Sequence, residues 1–201
     1  MSRSRPAQHS LATTFVFITS KRFAGASVLI GRRGEIAYFE TRGVADKATG
    51  NDFAKDSIVR IYSMTKPVTS VAAMMLYAPP SGGDMSNVGR TSGATGEQRG
   101  VGLKLQESAA SSASLKPVKL FSGGGGLMST MWDYARFCQM LANRGELDGQ
   151  RLHHWGGAAS TFFWLDAEEE LFVIFLTQLI PSSTYPIRRE LRSRVYQALV
   201  D

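Results

Sequence analysis

A chain of 201 residues with 43% hydrophobic content is long enough for one domain with a real core. Its net charge of +6 is spread along the chain without a basic stripe interleaved with aromatics, which argues against a nucleic-acid partner. A single cysteine, Cys138, rules out an intrachain disulfide. His9, His153 and His154 lack metal-ligand spacing, so no metal or other cofactor is expected.

The first acidic residue is Glu35, and Leu11–Thr19 is a short apolar run ahead of the small residues Ala24–Ser27. That arrangement leaves a signal or transit peptide open. The reading of Ala24 onward as a strand is preferred, and with it a cytoplasmic location. Residues 1–23 are expected to be poorly structured, and no run reaches membrane-spanning length.

From Gly25 the pattern is that of a hairpin. Gly25–Ile30 and Glu35–Thr41 are strand-forming runs, and Gly31-Arg-Arg-Gly34 supplies turn chemistry between them. A short β-branched run, Ile58–Ile61, then gives way to a helical pattern with Val68, Val71, Ala72, Met75 and Leu76 on one apolar face. Pro67 falls in the first turn, where its missing N–H is tolerated. Ser63 therefore sits at the helix start, and Lys66 shares its face three residues on. A serine hydroxyl needs a base, and a partly desolvated lysine is suited to that role. A serine cap followed by a solvated lysine is the plain alternative, but Lys66 precedes a strongly apolar helix.

Residues 79–120 are dominated by Ser, Gly, Ala and Thr, with no aromatic residue from Pro79 to Lys116, and read as a low-complexity loop. Ser122-Gly-Gly-Gly-Gly126 lacks the Gly-Lys-Ser/Thr of a phosphate loop and reads as a flexible approach to a helix. In that helix Thr130 and Asp133 have capping spacing, Trp132, Ala135, Phe137, Met140 and Leu141 form the expected apolar stripe, and Asn143–Gly145 is the stop. Ala158–Leu165 and Leu171–Leu179 form a second hairpin around the acidic turn Asp166–Glu170. Ile187–Val200 is a final helix with Leu191, Val195 and Leu199 inward and its arginines in solvent. Hairpins and helices in this order imply an α+β fold, an antiparallel β-sheet flanked by helices.

Taken together, Ala24–Gly43, Ile58–Leu76 with its S-x-x-K, Phe121–Leu152 with Ser-Gly-Gly-Gly-Gly-Leu-Met-Ser-Thr, and Trp155-Gly-Gly-Ala-Ala-Ser through Asp201 resemble the serine β-lactamase-like superfamily, in its class C β-lactamase and esterase branch related to penicillin-binding proteins. The resemblance divides the domain into 24–78 and 121–201, separated by the 79–120 loop. It implies Ser63 as the acylated nucleophile and Lys66 as its proton acceptor. Trp155, Gly156 and Gly157 would stand at the third motif, and the N–H of Ala158 would join that of Ser63 in an oxyanion hole. The family's second motif, Tyr-x-Asn, is missing, because none of the six tyrosines is followed two residues on by Asn. The helical subdomain that carries this motif is largely absent, so the chain resembles a family member with internal segments removed. The implied function is an impaired serine hydrolase acting on small esters or amides. The alternative is a non-catalytic remnant or a binding module on the same scaffold. A small-molecule substrate is the only partner implied, and the oligomeric state is left open.

Overall fold

The computed structural model describes residues 15, 22–47, 49–76, 122–143 and 154–199, with the side chains of 74–76 excepted. The 79–120 loop and most of the 1–23 segment lie outside the described residues. Strand β1 (Gly25–Arg32) turns through Arg33 and Gly34 into β2 (Glu35–Gly43). Both turn residues have positive φ, 52° and 80°, as a two-residue hairpin connection requires. The short β3 (Val59–Arg60) leads through a 3-10 turn, Tyr62–Met64, into helix α1 (Thr65–Leu76). After the glycine loop come β4 (Met128–Ser129), which pairs with β3, and α2 (Met131–Ala142). The chain closes with β5 (His154–Gly156), β6 (Phe162–Asp166), β7 (Leu171–Thr177) and α3 (Ile187–Ala198).

The main sheet is antiparallel with strand order β2-β1-β7-β6-β5. Its central strands come from the two ends of the described chain: β1 and β7 pair from Ala26↔Thr177 to Arg32↔Leu171. Both are apolar on both faces because helices cover both sides. On one face Val28, Ile30, Phe162, Val173 and Phe175 pack with Phe15, Phe23 and the α3 residues Ile187, Leu191 and Val195. On the other, Leu29, Phe163, Ile174 and Leu176 pack with Ile61, Met64 and the α2 residues Met131, Tyr134, Ala135 and Cys138. The fold is the expected α+β arrangement. Among the described residues no helix is long and apolar enough to cross a membrane.

Three details differ from the sequence expectation. The buried stripe of α2 is Met131, Tyr134, Ala135 and Cys138, while Trp132 and Met140 are exposed. Tyr134 and Cys138, absent from the expected stripe, complete an i, i+3, i+4, i+7 set with Met131 and Ala135. Trp132 instead packs edge-on against Phe39, with ring centroids 5.1 Å apart. Helix α1 is buried on one side only: Thr65, Pro67 and Val71 are inside, while Ala72 and Ala73 are exposed. Finally, β6 begins at Phe162 rather than Ala158, because 157–161 turn the chain from β5 into β6, with Ser160 at φ 63°.

Candidate active site

Ser63 lies at the middle of the 3-10 turn that β3 feeds into α1. The turn is fixed on several sides. The Met64 N–H donates to the Ile61 carbonyl at 3.0 Å, and the wholly buried Met64 anchors the turn in the core. The Tyr134 hydroxyl donates to the Met64 carbonyl at 3.1 Å. Burial pushes the Tyr134 phenol well above its ordinary pKa, with Cys138 beside it adding to the effect, so it stays a neutral donor. Ile61 is held twice: its N–H donates to Leu127 at 3.2 Å, and its carbonyl accepts from Thr161 Oγ1 at 3.4 Å. Tyr62, just before Ser63, has a φ of 46°, a left-handed conformation that costs a non-glycine residue about 1–3 kcal/mol.

Lys66 is half-buried on the next turn of the same face. Its Nζ lies 3.0 Å from Ser63 Oγ and 2.8 Å from the Gly124 carbonyl oxygen. Lys66 Nζ donates to both oxygens, which holds the amine between the serine and the glycine loop. The chemistry available to this pair is proton abstraction from a serine hydroxyl. Ser63 also stands at the N-terminal end of α1, where developing negative charge is favoured.

The glycine loop is tied to α1 at further points. Thr69 Oγ1 donates to the Gly123 carbonyl at 2.8 Å, and the Leu127 N–H donates to the buried Thr65 Oγ1 at 3.1 Å. Within the loop, the Gly126 N–H closes on the Ser122 carbonyl at 2.9 Å.

Trp155, Gly156 and Gly157 come together with the serine turn, because β5 packs against Tyr62–Met64. Gly157 is required there. A Cβ at this position would sit 2.5 Å from the Ile61 carbonyl oxygen and 2.4 Å from Thr161 Oγ1. Gly156 points to the opposite face, where a Cβ would meet the guanidinium of Arg188, which lies over the Phe162 ring. Burial lowers the pKa of Arg188. Trp155 alternates with Gly156, belongs to the same face as Gly157, and is 36% exposed. Ala158 follows in the β5–β6 turn and is exposed, rather than lying on a continuing strand. Among the described residues no group of His, Cys, Asp and Glu is arranged to hold a metal.

The residues that sequence reasoning passed over are Gly124, Thr65, Thr69, Tyr134 and Thr161. Of these, Thr65 and Thr69 left a trace in the sequence, as two hydroxyls four apart on the helix that carries Lys66.

An antiparallel sheet with helices on both faces, and a serine–lysine pair at the head of a helix beside an edge strand, form the arrangement of the β-lactamase-like fold. Residues 10–81 match the family model described as Beta-lactamase. Esterase EstB of Burkholderia gladioli is 34% identical over 61 residues, which span 30% of this chain and 16% of that esterase. Among solved structures, EstCE1, described as a hydrolase with promiscuous acyltransferase activity, aligns with a TM-score of 0.66 at 13% identity over 95% of this chain and 100% of its own. A β-lactamase/D-alanine carboxypeptidase from Pseudomonas syringae aligns with a TM-score of 0.56 at 13% identity, covering both chains fully. At such low identity these two likenesses establish the fold alone.

Proposed function

We propose that this chain is a slow serine hydrolase of the esterase/β-lactamase-like type, acting on small esters or amides through an acyl-Ser63 intermediate. The observation that carries this reading is the 3.0 Å approach of Lys66 Nζ to Ser63 Oγ at the head of α1. Ser63 Oγ attacks the carbonyl carbon while its proton passes to the Lys66 amine, acting as base. The carbonyl oxygen becomes an oxyanion, for which the N–H groups of Ser63 and Ala158 are the assigned donors. The tetrahedral intermediate collapses, and the leaving alkoxide or amine takes the proton from Lys66. A water molecule then gives its proton to Lys66 and attacks the acyl group, releasing the acid and restoring the Ser63 hydroxyl.

Trp155 at the third motif favours esters over β-lactams, since the lysine that would attract a lactam carboxylate is replaced by an indole. The lowered rate follows from the missing Tyr-x-Asn. A positioned acid–base contributes about 10²–10⁴-fold, and Tyr134 cannot stand in while its hydroxyl is engaged with Met64. That same sequence departure favours the second reading, a non-catalytic remnant or binding module lacking internal segments.

A fluorophosphonate probe and a short-chain nitrophenyl ester separate the two. The expected result is labelling and ester turnover by the native chain and neither by Ser63→Ala. Equal signal from both proteins, or none from either, overturns the hydrolase reading.

A further inference from the structure

We propose that Thr69 is a positioning residue for Lys66, acting through the glycine loop; the inference rests on the reading of Lys66 as the base for Ser63. Thr65, Lys66 and Thr69 occupy one face of α1, and the segment Gly123–Leu127 lies across it. Three bonds join them: Thr69 Oγ1 to the Gly123 carbonyl at 2.8 Å, Lys66 Nζ to the Gly124 carbonyl at 2.8 Å, and the Leu127 N–H to Thr65 Oγ1 at 3.1 Å.

The Thr69 hydroxyl has one hydrogen and three acceptors in reach. Two are carbonyls of its own helix, Lys66 at 3.1 Å and Thr65 at 3.2 Å, the usual back-bonding partners of a helical threonine. The loop carbonyl is the shortest of the three, so the hydrogen is assigned to it. The bond matters because of what it holds. Gly123 and Gly124 are consecutive, and glycine backbones turn freely unless something outside them fixes their peptide planes. With Gly123 tied to Thr69, the next carbonyl is presented to Lys66. Lys66 is then held between Gly124 and Ser63 instead of swinging outward on its four-carbon stem. The loop runs beside these side chains without crowding them: a Cβ at Gly123 would lie 3.6 Å from Thr69 Cγ2, and one at Gly124 3.8 Å from Lys66 Cε.

The test is trace acetylation of the full chain with acetic anhydride, reading each lysine by mass spectrometry with the exposed Lys47 and Lys55 as internal references. In the native chain Lys66 is expected to be protected relative to both. Thr69→Val, of nearly equal shape, should raise Lys66 labelling about fivefold, on the order of one net hydrogen bond, and slow fluorophosphonate labelling of Ser63 by a similar factor. Thr69→Ser, which keeps the hydroxyl, should restore both to native values, a rescue that simple loss of packing would not give. Unchanged Lys66 labelling in Thr69→Val, or failure of Thr69→Ser to restore it, overturns the proposal. A native chain inert to the fluorophosphonate overturns the hydrolase reading alone, and the acetylation result still decides whether Thr69 holds Lys66.

Discussion

The two faces of the central sheet are built from similar hydrocarbon but do different work. On the α3 face, Phe162, Phe175, Val173, Ile187, Leu191 and Val195 interlock, and two polar atoms, Tyr38 Oη and Trp164 Nε1, are buried there with no hydrogen-bond partner. On the α2 face Ser27 Oγ is likewise buried without a partner, but three other hydroxyls are used: Tyr134 on the Met64 carbonyl, Thr65 on the Leu127 N–H, Thr161 on the Ile61 carbonyl. All three bonds end on the backbone of the segment around Ser63 or of the loop that faces it. Apolar packing is non-directional and tolerates small shifts, whereas hydrogen bonds to named carbonyls and amides set position. Buried hydroxyls elsewhere also bond backbone, Thr177 the Gly25 carbonyl and Ser160 the Leu179 carbonyl, so what sets the α2 face apart is that its bonds end around Ser63.

Two neighbouring glycines offer the largest break in this comparison. Gly157→Ala drives a methyl into the Ile61 carbonyl and Thr161. It should cost about 1–3 kcal/mol in denaturant unfolding and abolish labelling of Ser63. Gly156→Ala meets the far end of the Arg188 side chain, which can move, although Arg188 then loses its place over Phe162. Its cost should be the smaller of the two, with labelling retained. The reverse order would mean that the serine turn is not set by the α2-face contacts.

Tyr134→Phe is the next test. It leaves the Met64 carbonyl without its donor and should lower stability by about 1 kcal/mol, with slower Ser63 labelling than that loss alone explains. An unchanged labelling rate would show that the Tyr134 bond does not position Ser63.

Tyr38→Phe should have the smallest effect, because it removes a buried hydroxyl that has no partner. Unfolding in denaturant at neutral pH should show it neutral or slightly stabilising. At alkaline pH a difference should appear. Burial, reinforced by Glu40 and opposed by Arg42, raises the Tyr38 pKa from 10 to about 12. Between those values the unfolded chain loses the Tyr38 proton while the folded chain keeps it, so stability falls as pH rises through this window. Tyr38→Phe should flatten that fall, and an unaltered slope from pH 10 to 12 would contradict the assignment.

Much of the frame was legible in the sequence because it rests on period and punctuation. The alternation and turn residues of Gly25–Thr41 specified the first hairpin, and the Thr130 cap specified the start of α2, where its Oγ1 accepts from the Asp133 N–H at 3.2 Å. The Ser63–Lys66 pair was legible because three residues of helix bring two side chains to one face. What was not legible depends on contacts between segments distant in the chain. The Gly124 carbonyl is backbone, and nothing in the identity of four glycines announces which carbonyl will face a lysine 58 residues earlier. Ala158 was expected on a strand because its neighbours are strand formers. The geometry of the β5–β6 turn, with Ser160 at φ 63°, overrides that local preference. Trp132 was placed inside on hydrophobicity alone, and the helix phase set by Tyr134 and Cys138 turned it outward.

The pairing of β1 with β7 has a consequence for how the molecule comes into being. Ala26 finds its partner Thr177 only after 151 further residues have been made. At ribosomal speeds of about 5–20 residues per second, this is roughly eight to thirty seconds of waiting. During that time the β1–β2 hairpin, whose contacts are local, exposes the edge of β1 that β7 will pair with and the apolar faces that α2 and α3 will cover. A chain of this topology leaves the ribosome with its first strand the most vulnerable to wrong pairing. The serine turn depends in the same way on distant sequence, since β5 packs against it and Thr161 bonds the Ile61 carbonyl.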